Sequence, residues 1–302
     1  MTKVAFLAVI LLLARGGPAS AQQLEPRAYW PAPVGLSVAG VAYFFSSGNE
    51  VLDPAVPIQN LQARVQAVAP YYGRSFGLLG RQASITVAAP FAHADIQGDI
   101  TAGTAFHHTV DRTGFGDPAV RLAVNLIGLP ALSREEFKQR EPEATVGGSL
   151  TVIAPFGQYD RAKLINLGSN RWSCKPEVGY SQPVGKWAFE VFAGLWMFTA
   201  NDEFYGNQVK RQEPLASYQG HIIYHVTPLM WAALDYTYFT GGATTLNGQN
   251  KGDRQDNSRV GVTLALPVTA GQSFKMSAAR GVSTRIGSNY DTYGAAWQWN
   301  WF

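Results

Sequence analysis

The chain ends in an alternating run of aromatic residues, and this ending constrains the fold more than any other feature. Trp297, Trp299 and Trp301 lie two residues apart, so a β-strand would place all three on one face. In water, such an exposed apolar face would associate with other proteins, whereas aromatic side chains are favourable at the interface of a bilayer. With Phe302 as the last residue, the ending is typical of the closing strand of a membrane β-barrel.

The other end of the chain predicts export. Lys3 supplies a positive charge, Val4 to Ala14 form an apolar stretch, and Ala19-Ser20-Ala21 is a small-x-small cleavage site. The apolar stretch is too short to span a bilayer as a helix. We therefore predict a signal peptide over residues 1–21 and a single outer-membrane β-barrel domain over residues 22–302.

Composition agrees with a barrel. After the predicted signal peptide, no segment approaches the roughly 18 consecutive apolar residues of a membrane-spanning helix. The chain has 31 glycines and 12% aromatic but only 15% charged residues, which fits a barrel better than a soluble α/β enzyme. Without Lys3 and Arg15, the formal charge falls from +3 to +1, so charge gives no reason to expect nucleic acid as a partner.

Alternation with a period of two predicts about twelve antiparallel strands. Most reach the roughly 9–11 residues that a tilted strand needs to cross the hydrocarbon. The predicted fold is therefore an all-β transmembrane antiparallel barrel. The approximate strand spans are 34–46, 60–74, 81–93, 115–127, 144–156, 170–183, 187–199, 215–227, 230–240, 258–268, 272–283 and 290–302.

The predicted connections alternate between short and long, as periplasmic turns and extracellular loops do in outer-membrane barrels. The polar loop 95–114 is one of the long ones, and we expect it to narrow the lumen. The connection 129–143 is long although it should be periplasmic. Ser133 followed by Glu136 has the pattern of a capping box, so we predict a short periplasmic helix near 133–140.

Alternation also predicts which face of each strand meets lipid. In the sixth, seventh and tenth strands, an apolar set alternates with a polar set, and we assign the polar set to the lumen. A soluble barrel would show the inverse, and alternation alone does not separate the two. Aromatic residues near the strand ends favour the membrane; they are Trp172, Tyr180, Trp187, Trp231, Tyr238, Trp299 and Trp301.

The polar faces supply the candidate lumen and solute-contact residues. Basic residues outnumber acidic ones among them, so they form either an ion-paired wall or a constriction that selects solutes by charge. The candidates are Arg64, Asp117, Arg121, Arg171, Lys175, Glu177, Glu190, His221, His225, Asp235, Arg259 and Lys275.

No motif in the chain predicts an enzyme, a cofactor or a metal centre. His221 and His225 share a strand face, but four residues of strand separate them by roughly 13 Å, too far for one metal ion. Cys174 is the only cysteine, and there is no Gly-x-Ser-x-Gly elbow. The acidic loop segments 201–203 and 253–256 could bind cations that bridge lipopolysaccharide, with plain solvation as the alternative.

Several segments together carry a family resemblance: 114–117, 170–180, 198–206, 214–215, 235–238, 254–259 and 301–302. In them the chain resembles the outer-membrane proteins of phenol meta-cleavage (MetA) pathways, many of which are called transporters. The resemblance implies a porin-like channel for passive passage of small organic solutes, aromatic compounds among them. It implies outer-membrane lipid, lipopolysaccharide and the barrel assembly machinery at the C-terminal strand as partners. The alternatives are a structural or loop-binding barrel without transport and, further away, a membrane-barrel hydrolase.

Overall fold

Twelve long strands follow the alternating segments of the sequence and close into one antiparallel barrel. The computed structural model describes residues 24–51, 58–100 and 106–302, so the predicted signal peptide lies outside the described residues. With strands numbered in chain order, β1 pairs with both β2 and β18 and thereby closes the barrel. The barrel strands are β1 (Ser37–Val51), β2 (Ile58–Leu78), β3 (Arg81–Ala88), β6 (Ala119–Ile127), β7 (Thr145–Ile153), β8 (Ser173–Val184), β9 (Trp187–Phe198), β12 (Leu215–His225), β13 (Trp231–Gly241), β16 (Gln255–Thr269), β17 (Gln272–Thr284) and β18 (Gly287–Trp301).

Two further strands extend one side of the barrel and correct the predicted loop 95–114. Strands β4 (Phe91–Ile100) and β5 (Phe106–Phe115) pair with each other, and β4 pairs with the long strand β2. Pro90 separates β3 from β4, because proline has no N–H to donate to the ladder. Pairing satisfies the backbone of this polar stretch, so it forms an extended hairpin where composition alone suggested a loop.

The long connections between β9 and β16 carry a second, smaller sheet. Its strands are β10 (Asn201–Phe204), β11 (Gln208–Gln212), β14 (Thr244–Leu246) and β15 (Gln249–Asn250), hydrogen-bonded in that order. Phe204 and Leu246 are buried within it, and Leu164 and Tyr205 pack against them. These segments were predicted only as polar loops.

The predicted periplasmic helix is confirmed as α1 (Arg134–Gln139). Its N-cap Ser133 accepts a hydrogen bond from the Glu136 backbone, and the Glu136 carboxylate accepts one from the Ser133 N–H at 2.8 Å. These hydrogen bonds hold the pKa of the Glu136 carboxyl below its ordinary value. In the described part of the chain, no helix is both long and apolar enough to cross a membrane.

The apolar side of the barrel wall faces outward. Val178, Val191 and Val262 are 49%, 60% and 55% exposed, whereas the neighbouring lumen residues Glu177 and Glu190 are buried. A soluble barrel would bury the apolar set, because burial of apolar surface drives folding in water. This arrangement is favourable in lipid and confirms the transmembrane barrel.

Most of the predicted girdle aromatics are exposed on the outer surface, and one prediction is wrong. Trp172, Trp187 and Trp299 are about half exposed. Trp231 is only 7% exposed and packs inside the barrel. Trp231 shares the lumen face of Asp235, which lies four residues further along the same strand, and its register partner is the inward-facing Ala265.

The β-ladder register marks the outer edge of the apolar belt. One outward-facing row across neighbouring strands contains Tyr43, Val68, Phe91 and Phe115. The outward-facing row four residues further from the periplasm contains Asp291, Ser47, Arg64, Asp95 and Asp111. The assignment of Arg64 to the lumen is therefore wrong, because it shares a strand face with the exposed Val68.

Candidate functional site in the barrel lumen

The lumen holds residues 24–36, named here the plug segment, which directly precede β1. The segment enters at the rim where the β2–β3 turn and α1 meet. There the Val34 N–H donates to the Leu132 carbonyl at 2.8 Å and the Gly35 N–H donates to the Ser75 carbonyl at 3.0 Å. The obstruction in the lumen is thus the chain's own N-terminal segment and not the predicted loop 95–114.

Backbone groups of the plug segment bond to side chains of the barrel wall. The Arg27 N–H donates to the Glu190 carboxylate at 2.8 Å. The Glu25 N–H donates to the Gln219 side chain at 3.3 Å, and the Ala28 carbonyl accepts from Arg121 at 3.2 Å. A segment without a pairing strand would leave such groups unsatisfied, so the wall residues take the place of a ladder.

Aromatic and cationic side chains anchor the same segment near the β12–β13 turn. The Trp30 ring lies 4.8 Å from the His225 ring. The Arg27 guanidinium lies 4.1 Å from the centre of the Trp30 ring and 5.0 Å from that of Trp231. A cation desolvated between two indoles is a favourable cation–π arrangement. His225, predicted as a lumen residue, therefore contacts the plug segment.

The wall of the lumen carries a cluster of ion-paired side chains at its centre. The Lys175 ammonium lies 2.9 Å from the Glu177 carboxylate, and the Arg121 guanidinium lies 3.8 Å from it. Glu190 accepts a hydrogen bond from Ser181 in addition to that from Arg27. Glu177 thus faces both Lys175 and Arg121, and Glu25 of the plug segment interacts electrostatically with the same two bases. The structure brings these sequence candidates together.

His221 and Asp235 form a second buried pair. The Nδ1 atom of His221 lies 2.6 Å from one Asp235 oxygen, and Thr263 donates to the other at 2.7 Å. In a hydrolytic triad the remaining ring nitrogen would contact a nucleophile. Among the described residues, Nε2 of His221 has no hydrogen-bond partner.

Arg171 and Arg259 lie apart from this centre, whereas Lys275 interacts electrostatically with Glu25 of the plug segment and with Asp235. Arg171 is buried, donates to Gln212 and lies 4.4 Å from the Phe198 ring. Arg259 is buried on the lumen face of β16 and donates to the Tyr290 carbonyl and the Thr292 hydroxyl. Lys275 shares its register position with two inward-facing alanines, Ala265 and Ala296.

Asp117 lies outside the lumen wall, in the break between β5 and β6. Its carboxylate accepts hydrogen bonds from the Gly157 N–H and from both the N–H and the hydroxyl of Ser169. It therefore ties the loop between β7 and β8 to the barrel rim. These contacts give Asp117 a structural role.

Sequence reasoning missed two groups of lumen residues. An apolar layer of Ile153, Trp196, Leu215 and Phe239 is buried inside the barrel, although lumen faces were expected to be polar. The plug segment was missed as well, because it has no strand periodicity. Its signal was compositional: Pro26, Pro31 and Pro33 flank Tyr29 and Trp30 directly before the first strand.

Comparison with known proteins agrees with the family resemblance and with the barrel fold. The family model described as "Putative MetA-pathway of phenol degradation" matches residues 43–299, which is most of the chain. The protein belongs to this family. No curated protein matches the sequence.

Solved structures show the fold of this family member independently. An outer membrane channel from Pseudomonas putida F1 matches with a TM-score of 0.77 and 20% identity, covering 92% of this chain and 100% of that one. The transport unit of the Escherichia coli autotransporter AIDA-I matches with a TM-score of 0.53 and 10% identity, covering 98% and 97%. The fold is that of a bacterial outer-membrane β-barrel, and the protein resides in the outer membrane.

Proposed function

We propose that the protein is a channel for passive diffusion of small organic solutes, aromatic compounds among them, across the outer membrane. The observation that carries this proposal is that the plug segment, and not a strand of the wall, obstructs the lumen. The lumen holds a segment that is not a wall strand. Residues 25–30 of it contact the wall through side chains, whereas its backbone bonds to the rim begin at Val34, so residues 25–30 can shift without breaking any barrel ladder.

The contacts of the plug segment suggest how it is held closed. Single hydrogen bonds contribute about 0.5–1.5 kcal/mol and cation–π contacts about 0.5–2 kcal/mol. A few such contacts around Arg27 and Trp30 give an equilibrium that favours the closed state and still permits opening. We propose that solutes pass when this segment is displaced.

The test compares the full-length protein with the double variant Arg27→Ala/Trp30→Ala. We expect larger single-channel conductance and faster swelling of solute-loaded liposomes for the double variant, because the segment loses its anchor beside Trp231. The matched control is Trp172→Ala, which removes an exposed tryptophan on the outer surface and should leave conductance unchanged.

The alternative functions predict other outcomes. A structural or loop-binding barrel would show neither conductance nor solute flux, even after the plug contacts are removed and the long extracellular loops are shortened. A hydrolase would turn over ester or peptide substrates without flux. Growth of a gene-deletion strain on aromatic and aliphatic carbon sources would identify the solute class.

The proposal also includes the partners and processing expected from the sequence. Removal of residues 1–21 should leave Gln22 as the first residue, which N-terminal sequencing of the mature protein tests. We propose that lipopolysaccharide surrounds the outer rim and that the barrel assembly machinery recognises β18. Cross-linking from the outward-facing Trp299 position during assembly would test the second contact.

A further inference from the structure

The ring of Tyr29 occupies a slot cut into the lumen wall. Gly147 of β7 and Gly179 of β8 are direct register partners, and they line opposite edges of this ring. A methyl group added at Gly147 would collide with Cδ1, Cγ and Cε1 of Tyr29, and one added at Gly179 would collide with Cε2 and Cδ2. Tyr29 is only 3% exposed. Only glycine at both wall positions leaves room for an aromatic ring.

The closed end of the slot binds a phenolic hydroxyl. The Tyr29 hydroxyl lies 2.9 Å from the Ser149 hydroxyl and donates to the Glu177 carboxylate at 3.1 Å. Lys175 holds that carboxylate as its ion-pair partner. A hydrogen bond to a charged acceptor is stronger than one between neutral groups, so this end distinguishes a phenol from a ring without a hydroxyl.

Two further side chains contact the Tyr29 ring in arrangements that suit its electron distribution. Phe192 meets it edge to face, with ring centres 5.2 Å apart and an interplanar angle of 82°. The Arg121 guanidinium lies 5.0 Å from the ring centre. Both arrangements are favourable for an electron-rich aromatic ring.

We propose that this slot is a binding site for the phenol ring of a solute and that Tyr29 occupies it in the solute's place when the lumen is closed. The proposal rests on the proposed function, because a solute reaches the slot only by entering the lumen. It identifies phenols as the substrate class, with Glu177 and Ser149 recognising the hydroxyl and the two glycines setting the width.

The orientation of Tyr29 predicts which phenols fit. Its Cβ is attached para to the hydroxyl, so a para substituent would lie where the Tyr29 side chain joins the plug segment. Positions ortho and meta to the hydroxyl face Gly147 and Gly179, where space is lacking. Phenol and 4-alkylphenols should therefore bind, and 2-alkylphenols should bind more weakly.

The experiment empties the slot in the full-length protein with Tyr29→Ala and measures binding of 4-methylphenol by titration calorimetry in detergent. We expect saturable binding that is about tenfold or more tighter than that of toluene or 4-methylanisole, because those ligands leave the Glu177 acceptor without a donor. Binding of 2-methylphenol should also be weaker. Wild-type protein should bind 4-methylphenol more weakly than the variant, because Tyr29 competes.

A second substitution refills the slot and controls for partition into detergent. In Tyr29→Ala/Gly147→Ala, the new methyl group occupies the space of the Tyr29 ring, whose atoms are the three nearest to it in the native protein. This variant should not bind 4-methylphenol. Tyr29→Ala/Gly220→Ala is the matched control, because a methyl group at Gly220 meets only the Glu190 carbonyl oxygen at 4.0 Å.

The results separate this proposal from the proposed function. Equal binding of 4-methylphenol by the emptied and refilled variants, or equal binding of toluene and 4-methylphenol, would overturn the slot as a phenol site. Selective binding without solute flux would support the slot while overturning transport. Heat-modifiable gel migration establishes that each variant is folded, and Tyr29→Val replaces Tyr29→Ala if the alanine variant does not fold.

Discussion

At the scale of single residues, the lumen shows how buried charges are tolerated inside a membrane protein. Lys175 and Glu177 have side chains that are 5% and 1% exposed and lie 2.9 Å apart. Taking either charge out of water alone would be costly, and the pair together with its hydrogen bonds offsets that cost. The candidate residues found from the sequence are therefore parts of a neutralised network as well as potential solute contacts.

This pairing leads to a prediction about stability. Glu177→Leu should destabilise the barrel by about 3–5 kcal/mol, because it removes the carboxylate that lies 2.9 Å from the buried Lys175 ammonium and leaves only the electrostatic interaction of that ammonium with Glu25. The double variant Lys175→Met/Glu177→Leu should recover most of that loss. Reversible urea unfolding in lipid vesicles measures both. The single variant Lys175→Met completes the comparison. A loss in the double variant equal to the sum of the two single losses would show that the two side chains do not interact.

At the scale of elements, the outward-facing positions along each strand lie at different depths in the bilayer. Val178 faces outward in the middle of β8, six residues from the exposed Trp172 and six from Val184 at the strand end. Thr113 faces outward on β5. It lies two residues further from the periplasm than Phe115, which belongs to the row that marks the edge of the apolar belt. The ladder register thus assigns each outward position a height in the membrane.

A charge placed at these two heights should have different costs. Val178→Arg should destabilise the folded barrel by about 2–4 kcal/mol, and Thr113→Arg by about 0–1 kcal/mol, since the cost falls from the midplane to the interface. Unfolding in vesicles again gives the free energies. Similar losses at both positions would mean that the boundary drawn from the aromatic row is misplaced.

The helix α1 provides a prediction on pH at the periplasmic side. Hydrogen bonds from Ser133 lower the pKa of the exposed Glu136 carboxyl below its ordinary value of 4.5. A lowered pKa in the folded state stabilises the helix above the unfolded-state value, and that contribution is lost as pH falls through the lowered value.

The expected outcome is a pH-dependent effect of removing the Glu136 charge. Near neutral pH, Glu136→Gln should weaken amide protection of residues 134–139, because the Ser133 N–H then donates to a neutral amide oxygen and not to a carboxylate. Below the lowered pKa of Glu136, the difference from wild type should shrink. Hydrogen exchange corrected for intrinsic pH dependence measures it, with Glu203→Gln in β10 as the control. A difference that is constant with pH would exclude a role of the Glu136 charge.

At the scale of the whole molecule, we expect the charges of the lumen to set the ion selectivity of the proposed channel. The lumen bases Arg121, Arg171, Lys175, Arg259 and Lys275 outnumber the lumen acids Glu177, Glu190 and Asp235. Fixed charge in a narrow pore with low-dielectric walls attracts counter-ions. The ion pairs reduce this field, so a mild anion preference is the expected property of the open channel.

Reversal potentials in a salt gradient test this expectation. Arg171→Gln/Arg259→Gln should move the potential toward cation preference. Arg280→Gln is the matched control, because Arg280 is 71% exposed on the outer surface and should leave the potential unchanged. A potential unaffected by the lumen substitutions would assign both arginines a purely structural role.

The sequence by itself determined the barrel wall. All twelve predicted spans correspond to barrel strands, because side chains of a strand alternate between two faces and a wall between lipid and lumen imposes that alternation locally. The capping box at Ser133 was equally local and was predicted to within a residue of α1. Each of these inferences used residues close together in the chain.

The tertiary structure alone decided what fills the lumen. Tyr29 bonds to Ser149 and Glu177, which are 120 and 148 residues away, and no local pattern encodes such contacts. The faces of Trp231 and Arg64 were mispredicted although alternation relates each to a neighbour in its own strand: Trp231 shares a face with the lumen residue Asp235, and Arg64 shares one with the exposed Val68. The contacts of Tyr29 are different, because only closure of the barrel brings them together and thereby creates the tyrosine slot.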